Sequence, residues 1–406
     1  MRERRIPEPG RRWLNQTTVG IGLASLLSDV SHELATAVLP AVLLSLGAGP
    51  AALGVIEGTA DGLSAVAKLW GGVLADRLPR RKPLASVGYL VTAVGTAAIG
   101  LCVAWWQVLA CRVAAWIGRG SRIASRDALL SEASPRESQG RAFGLERAGD
   151  AAGAVIGPML GMVLLARGMA PRALMFVSLI PGALAFLSIL VVVREQRHAP
   201  RPGAVPLLQS LGGTAAPFRR YLVGILLFGA GDFSRTLLIL YATLHMTGSL
   251  FSWEGASAAV GLYVLHNAVS ATAALPIGVL ADRTGHRRVI VAGYVFGAAT
   301  TLGFGLAPPT PGWMLVLFVC SGLYIACEEV AEKSYATTLL PGDRLGVGMG
   351  LLAATNGVGD MVSSGLVGVL WALFPPAVGF GCASLLQGIG AIVIARNAST
   401  SERPVG

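Results

Sequence analysis

Long apolar blocks alternate along the whole chain with short clusters of Gly, Pro, Arg and Asp. A helix that crosses a bilayer core needs about 20 mostly apolar residues. The blocks predict six spans at 17–46, 51–75, 84–104, 106–130, 141–166 and 172–193. Six more are predicted at 221–246, 256–281, 288–307, 312–336, 346–373 and 376–395. Several connections are very short, as at Gly47–Pro50, Pro308–Pro311 and Pro375–Pro376. One is long. Residues 194–220 hold Arg194, Arg197, Arg201, Arg219, Arg220 and four prolines, and read as a solvated linker between two halves.

The expected organisation is therefore an N-terminal segment 1–16, a six-helix bundle 17–193, a linker 194–220, a second bundle 221–395 and a tail 396–406. The fold class is an all-α membrane protein of twelve transmembrane helices in two pseudo-symmetric bundles.

Composition agrees. Residues are 53% hydrophobic and 13% charged, against about 25% charged in a soluble domain. The net charge of +10 would suggest nucleic acid in a soluble chain. Here the excess lies in loops on one side. Arg2, Arg4, Arg5, Arg11, Arg12, Arg77, Arg80, Arg81, Lys82, Arg136, Arg141, Arg283, Arg287 and Arg288 fall on the linker's side, and only Arg167 and Arg172 on the other. The bias predicts cytoplasmic termini and linker. No nucleic-acid partner is expected.

Residues 1–15 lead into the first span without an export cleavage site. The expectation is a monomer retained in the cytoplasmic (inner) membrane of a bacterium. The five cysteines lie in apolar stretches without a C-x-x-C pair, so buried free thiols are expected.

The string GVLADR occurs at 72–77 and again at 278–283, 206 residues on. The same offset relates Pro135 to Pro341, Glu137 to Asp343, Gly140 to Gly346, Gly144 to Gly350 and Gly153 to Gly359. One register across several helices indicates six spans duplicated in parallel orientation, with a site between the halves.

These motifs resemble those of the major facilitator superfamily. Gly72, Asp76, Arg77 and the cluster Arg80-Arg81-Lys82 match its loop signature, and Gly278, Asp282, Arg283, Arg287 and Arg288 form a second copy. The resemblance implies twelve helices, rocking of two halves, and a cytoplasmic latch formed by these residues. Gly72 would allow close helix approach, and Asp76 would accept hydrogen bonds from Arg or a helix N-terminus. In span five, Gly153, Gly157, Pro158 and Gly161 resemble a signature enriched among proton-coupled exporters. The second copy lacks it, with Ser363 and Ser364 at the matching positions. Family members often carry Arg followed by Gln-Gly in span four. Here Val-Ala-Ala-Trp follows Arg112, so no coupling role for Arg112 is carried over.

Ionisable residues inside a membrane are costly and mark function by default. Asp29, His32 and Glu33 lie in span one, Glu57 and Asp61 in span two, and Arg119 and Arg122 in span four. Asp232 and Arg235 open the second half, whose later spans hold Glu328, Glu329, Glu332, Lys333, Asn356 and Asp360. Asp29, Glu33, Glu57 and Asp61 are expected to face the cavity, with Asp29 and Glu33 the first choices for carrying protons. A desolvated carboxyl takes up and releases a proton readily. His32, Arg119, Arg122, Asp232 and Arg235 are candidates for solute binding or counter-charge. The offset places Arg122 against Glu328, Arg126 against Glu332 and Asp127 against Lys333. Pairing of these opposite charges across the pseudo-twofold axis would form a gate.

Asp29, His32 and Glu33 also permit a metal reading, because carboxylate plus imidazole suits a divalent transition metal. No metal site or cofactor is assigned. The leading expectation is proton-coupled antiport exporting a small organic or chelate-like solute. Export of a metal ion or complex, and proton-coupled nutrient uptake, stand as alternatives. A receptor or scaffold would not need the intramembrane carboxylates. An enzyme is not expected, since no nucleophile elbow or phosphate loop is present.

Overall fold

The computed structural model describes residues 13–195, 216–246, 253–340 and 345–397. Among them are thirteen α-helices and no strand. The first half comprises α1 (Gln16–Ser45), α2 (Pro50–Arg77), α3 (Lys82–Ala98), α4 (Trp105–Ala133), α5 (Gln139–Ala166) and α6 (Pro171–Leu187). The second comprises α7 (Ala216–Gly229), α8 (Arg235–His245), α9 (Trp253–Thr284), α10 (His286–Leu306), α11 (Pro311–Leu339), α12 (Leu345–Leu373) and α13 (Pro376–Ala395).

The local chemistry explains where these helices start and stop. Proline sits in the first turn of α2, α3, α6, α11 and α13, where its missing N–H costs nothing. Asn15 caps α1, accepting from the Thr17 and Thr18 amides at 2.9 and 3.1 Å. Its own amide group donates to Ala133 O at 2.8 Å, tying the start of α1 to the end of α4. At the opposite end of the bundle, Gly47 and Gly168 turn the chain after α1 and α5 with φ of 71° and 81°, a region costly for other residues.

Eight helices are long and apolar enough to cross a membrane by length and composition alone. Helices α2 and α4 fall outside that set and carry rows of ionisable residues. Helices α7 and α8 fall outside it because the seventh span is split.

The duplication is visible helix by helix. Shifted by 206 residues, α4 coincides with Pro311–Leu339, the bounds of α11. The seventh span departs from expectation. The sequence predicts a continuous span over 221–246, yet it breaks between Gly229 and Arg235, and α7 begins at Ala216, inside the expected linker. Gly229 and Gly231 weaken the helix there, and Ser234 caps the next one by accepting from Thr236 N at 3.4 Å. Of the expected N-terminal segment 1–16, linker 194–220 and tail 396–406, residues 1–12, 196–215 and 398–406 lie outside the described residues.

Among the described residues, the two halves share one core at one end only. One buried cluster unites Leu34, Val38, Leu53 and Ile56 with Leu237, Leu240, Tyr263 and Phe318. At the end where α1 and α7 begin, each half keeps its own core: Ile21, Tyr89 and Leu130 in one, Phe218, Tyr294 and Tyr335 in the other. The molecule is closed at the first end and divided at the second. Two seams hold the closed end. In one, α2 meets α12 through glycine: a Cβ on Gly58 would come within 2.5 Å of Met361 O, and one on Gly368 within 2.6 Å of Pro50 O. In the other, α5 meets α9, where Ser257 Oγ donates to Met162 O at 3.0 Å and Asn267 Nδ2 to Ala154 O at 2.7 Å.

Candidate functional site

Helix α4 carries arginines at a seven-residue spacing, so Arg112, Arg119 and Arg126 lie along one stripe. Each meets a carboxylate from a different neighbouring helix. Arg112, 1% exposed, grips Glu57 of α2 with Nε to Oε1 at 3.1 Å and Nη2 to Oε2 at 3.2 Å, and reaches Thr36 Oγ1 of α1 at 3.1 Å. Arg119 pairs with Asp29 of α1 at 2.7 Å. Arg126 pairs with Glu146 of α5 at 2.6 Å and with neighbouring Asp127 at 3.0 Å. Buried charges are tolerated when paired and hydrogen-bonded in this way. Arg122 differs. Its Nη2 donates to Ser28 Oγ at 2.6 Å, its guanidinium lies 3.8 Å from the Tyr89 ring centre, and among the described residues Nε and Nη1 have no hydrogen-bond partner.

The small residues of α5 press this array together. A Cβ on Gly153 would come within 2.8 Å of Asp29 Cβ, and one on Gly157 within 3.2 Å of Glu33 Cβ. The glycine motif of span five thus lets α5 lie against the charged face of α1.

In the second half, the break in the seventh span presents Asp232, Ser234 and Arg235. Arg235 pairs with Asp232 at 3.1 Å and donates to Phe233 O at 2.9 Å, while Tyr324 Oη donates to Asp232 Oδ1 at 3.0 Å. Unwound backbone inside a membrane needs partners. Ser364 Oγ accepts from Ser234 N at 3.0 Å, Ser363 Oγ donates to Asp232 O at 3.0 Å, and Gln387 Nε2 donates to Gly231 O at 3.1 Å. The serines that replace Gly157 and Pro158 in the second copy serve this break.

Between the halves lies a cavity of about 350 Å³. The first half contributes His32, Glu33, Glu57, Asp61, Arg112 and Trp116 to its wall; the second contributes Asp232, Ser234, Arg235, Tyr263, Glu328, Glu329 and Asp360. Glu33 accepts from Tyr263 Oη across the cavity at 2.8 Å, and Ser234 Oγ lies 3.5 Å from Glu57 Oε2. A second space of about 470 Å³ shares Asp61, Trp116, Glu328 and Asp360 and adds Lys68, Glu332, Lys333 and Met349. It extends toward the divided end.

Of the expected cavity residues, Glu33, Glu57 and Asp61 line the space, as do His32, Asp232 and Arg235. Asp29, Arg119 and Arg122 do not: Asp29 and Arg119 are engaged with each other, and Arg122 is buried against Tyr89. Pairing across the pseudo-twofold axis is not formed here. Arg126 is held within its own half, and Glu332 accepts from Tyr294 Oη and from Asn356 Nδ2, the latter at 2.7 Å. Lys333 is exposed.

The latch residues are also placed differently than expected. Gly72 makes only ordinary contact with Ala124; the close approach belongs to Gly71, whose Cβ would fall within 2.5 Å of Ser121 O. Gly278 likewise has only ordinary contact, with Val330. Asp76 lies in the last turns of α2, and its side chain is outside the described residues. Arg81 is buried, ion-paired with Glu132 and bonded through Nε to Ala75 O at 3.2 Å. Arg77 and Arg283 are exposed, and Asp282 is 77% exposed. The cysteines are free, with Cys102 buried and the other four half-buried.

The cavity wall also holds Arg112, Tyr263, Ser234 and Trp116, which no sequence motif marks as site residues. Arg112 lacks the following Gln-Gly that would have marked it. Tyr263 carries no charge, and its only signal is its position, 206 residues after Glu57.

Comparison with known proteins places this geometry. The profile of the Major Facilitator Superfamily matches residues 21–242 and 221–405. An uncharacterized MFS-type transporter of Methanocaldococcus jannaschii is 25% identical over 365 residues, which is 90% of each chain. The enterobactin exporter EntS of Salmonella typhimurium is 26% identical over 393 residues, covering 92% of this chain and 89% of its own. Among solved structures, the nucleoside transporter NupG superimposes with a TM-score of 0.79 at 12% identity, over 95% of this chain and 100% of its own. A bacterial homolog of the human lysosomal transporter Spinster, inward-facing and unoccupied, gives 0.72 at 15% identity over 96% of each. Matching over both halves, with the fold and the cavity between them, the chain is a member of the Major Facilitator Superfamily, a membrane transporter and not an enzyme.

Proposed function

We propose that this transporter exports a small organic solute in exchange for protons by alternating access, from an inner membrane with both chain ends in the cytoplasm. The observation that carries the reading is the cavity between the halves, which is walled by carboxylates and continues toward the divided end. The basic loops lie at that end, so the divided end is cytoplasmic and the conformation is inward-facing. Exposure of Asp282 and Arg283 fits a cytoplasmic latch that is released in this state.

The carriers we favour are Glu33 and Asp61. Neither has a cationic side chain within 4 Å among the described residues, and they sit beside contacts that join the halves. Asp29 is engaged by Arg119 and is a poorer choice. Glu33 in particular accepts from Tyr263 of the other half, so its protonation state would bear on how the halves meet. Relatedness to an enterobactin exporter supports the outward direction.

The test is reconstitution into liposomes with an imposed pH gradient and a trapped pH dye, screening solutes for coupled proton flux. Wild type is compared with Glu33→Gln and Asp61→Asn. Coupled flux is expected in wild type and a loss of at least about tenfold in each variant. Solute movement indifferent to the gradient rejects proton coupling, and normal flux in both variants rejects the assignment.

A further inference from the structure

We infer that the solute is an organic cation. This rests on reading the cavity between the halves as the transport site, and it names the charge class that site accepts.

The sign of the cavity is opposite to that of the chain. The protein carries a net +10, yet seven carboxylates line the cavity against two guanidiniums, an excess of five. Both guanidiniums already have carboxylate partners in the wall, Arg112 with Glu57 and Arg235 with Asp232. That leaves Glu33, Asp61, Glu328, Glu329 and Asp360 facing the space with no cation within 4 Å among the described residues. Including the adjoining space adds Lys68, Lys333 and Glu332. The excess is then four.

Uncompensated carboxylates in a low-dielectric cleft repel one another and need a counter-charge. Protons supply it on one leg of an exchange cycle. A cationic solute supplies it on the other, so that the solute leaves as protons enter and the walls stay neutralised.

Among the described residues, His32 of this wall is 5% exposed with no hydrogen-bond partner for Nδ1, and Glu328 Oε2 is buried without one. An ammonium or guanidinium group carries donors and no acceptor, which matches a wall rich in carboxylates. Among the described residues no three carboxylate, imidazole or thiol groups converge closely enough to ligate an ion. The acidic groups are spread over both walls, which suits a molecule rather than a bare metal. A cavity of about 350 Å³ is at the small end of organic ligand pockets. Glu33 and Asp61 come from one half, Glu328 and Asp360 from the other. A cation between them attracts both walls, which favours closure around it.

The test uses the detergent-solubilised full chain and dyes of similar size and opposite charge. Ethidium and fluorescein binding are read by fluorescence anisotropy, with tetraphenylphosphonium as a dark competitor. Ethidium should bind saturably and be displaced, and fluorescein should not bind. Asp360→Asn and Glu328→Gln, each checked for monodisperse elution, should weaken ethidium at least about tenfold. Fluorescein binding as tight as ethidium, no saturable ethidium binding below ~1 mM, or unchanged affinity in both variants would each overturn the inference. Tight Mn²⁺ binding that excludes ethidium would overturn it as well. Proteoliposomes separate it from the coupling proposal. Ethidium carried regardless of the pH gradient sinks proton coupling and leaves the cation class standing. A gradient-driven neutral or anionic solute does the reverse.

Discussion

Among the described residues, the fork of Arg112 on Glu57 is the most enclosed ion pair of the first half, at 1% and 2% side-chain exposure. Removing one partner leaves the other charged and dry. Arg112→Met is therefore expected to destabilise the protein by about 3–5 kcal/mol, read as a fall in melting temperature in detergent. The double variant with Glu57→Leu should recover most of that loss; strictly additive losses would mean the pair is not the unit described. The same reasoning separates the two carboxylates of α1. Asp29→Asn removes Arg119's counter-charge and should lower stability while retaining gradient-driven proton flux. Glu33→Gln should lose that flux. If the variants behave in the opposite way, the coupling role belongs to Asp29. Sequence alone placed Asp29 and Glu33 four residues apart on one helical face. It could not say that an arginine on another helix would meet the first and a tyrosine from the other half the second.

Among whole elements, the divergence between the repeats is informative. Span one is continuous, and α5 presents glycine to it. Its counterpart is broken, and α12 presents hydroxyls to it. Replacing Ser363 and Ser364 by alanine should cost about 1 kcal/mol for each hydrogen bond lost and impair transport beyond that stability loss, because the break positions Asp232 and Arg235. Unchanged transport in a folded double variant would show that the serines only fill space. The glycine seam of α2 and α12 gives a second prediction. Gly58→Val forces a side chain onto Met361 O and should part the closed end, seen as faster maleimide labelling of Thr36→Cys, a cavity-lining position. Equal labelling rates would mean that the seam yields elsewhere.

For the molecule as a whole, the shared core at one end and separate cores at the other define which way the cleft opens. Ser131 and Thr337 occupy equivalent places near the ends of α4 and α11 at the divided end. Spin labels there, in a background lacking the native cysteines, should approach one another when an imposed gradient drives the opposite-facing state. A distance distribution that never changes would rule out rocking about this cleft.

What the sequence determined by itself was the set of apolar blocks, the 206-residue duplication and the inventory of charges placed in the membrane. These are legible because hydrocarbon imposes a minimum helix length and a penalty on every ionisable group, and both are properties of the local chain. Which charges would face the cleft was decided by the tertiary structure. Arg112, Arg119 and Arg126 look alike along α4, but each found a carboxylate on a different neighbour, and such pairings depend on helix rotation and approach. The break in the seventh span was also settled in three dimensions. Glycine weakens a helix locally, but an unwound turn survives in a membrane only when other helices bring donors and acceptors to it.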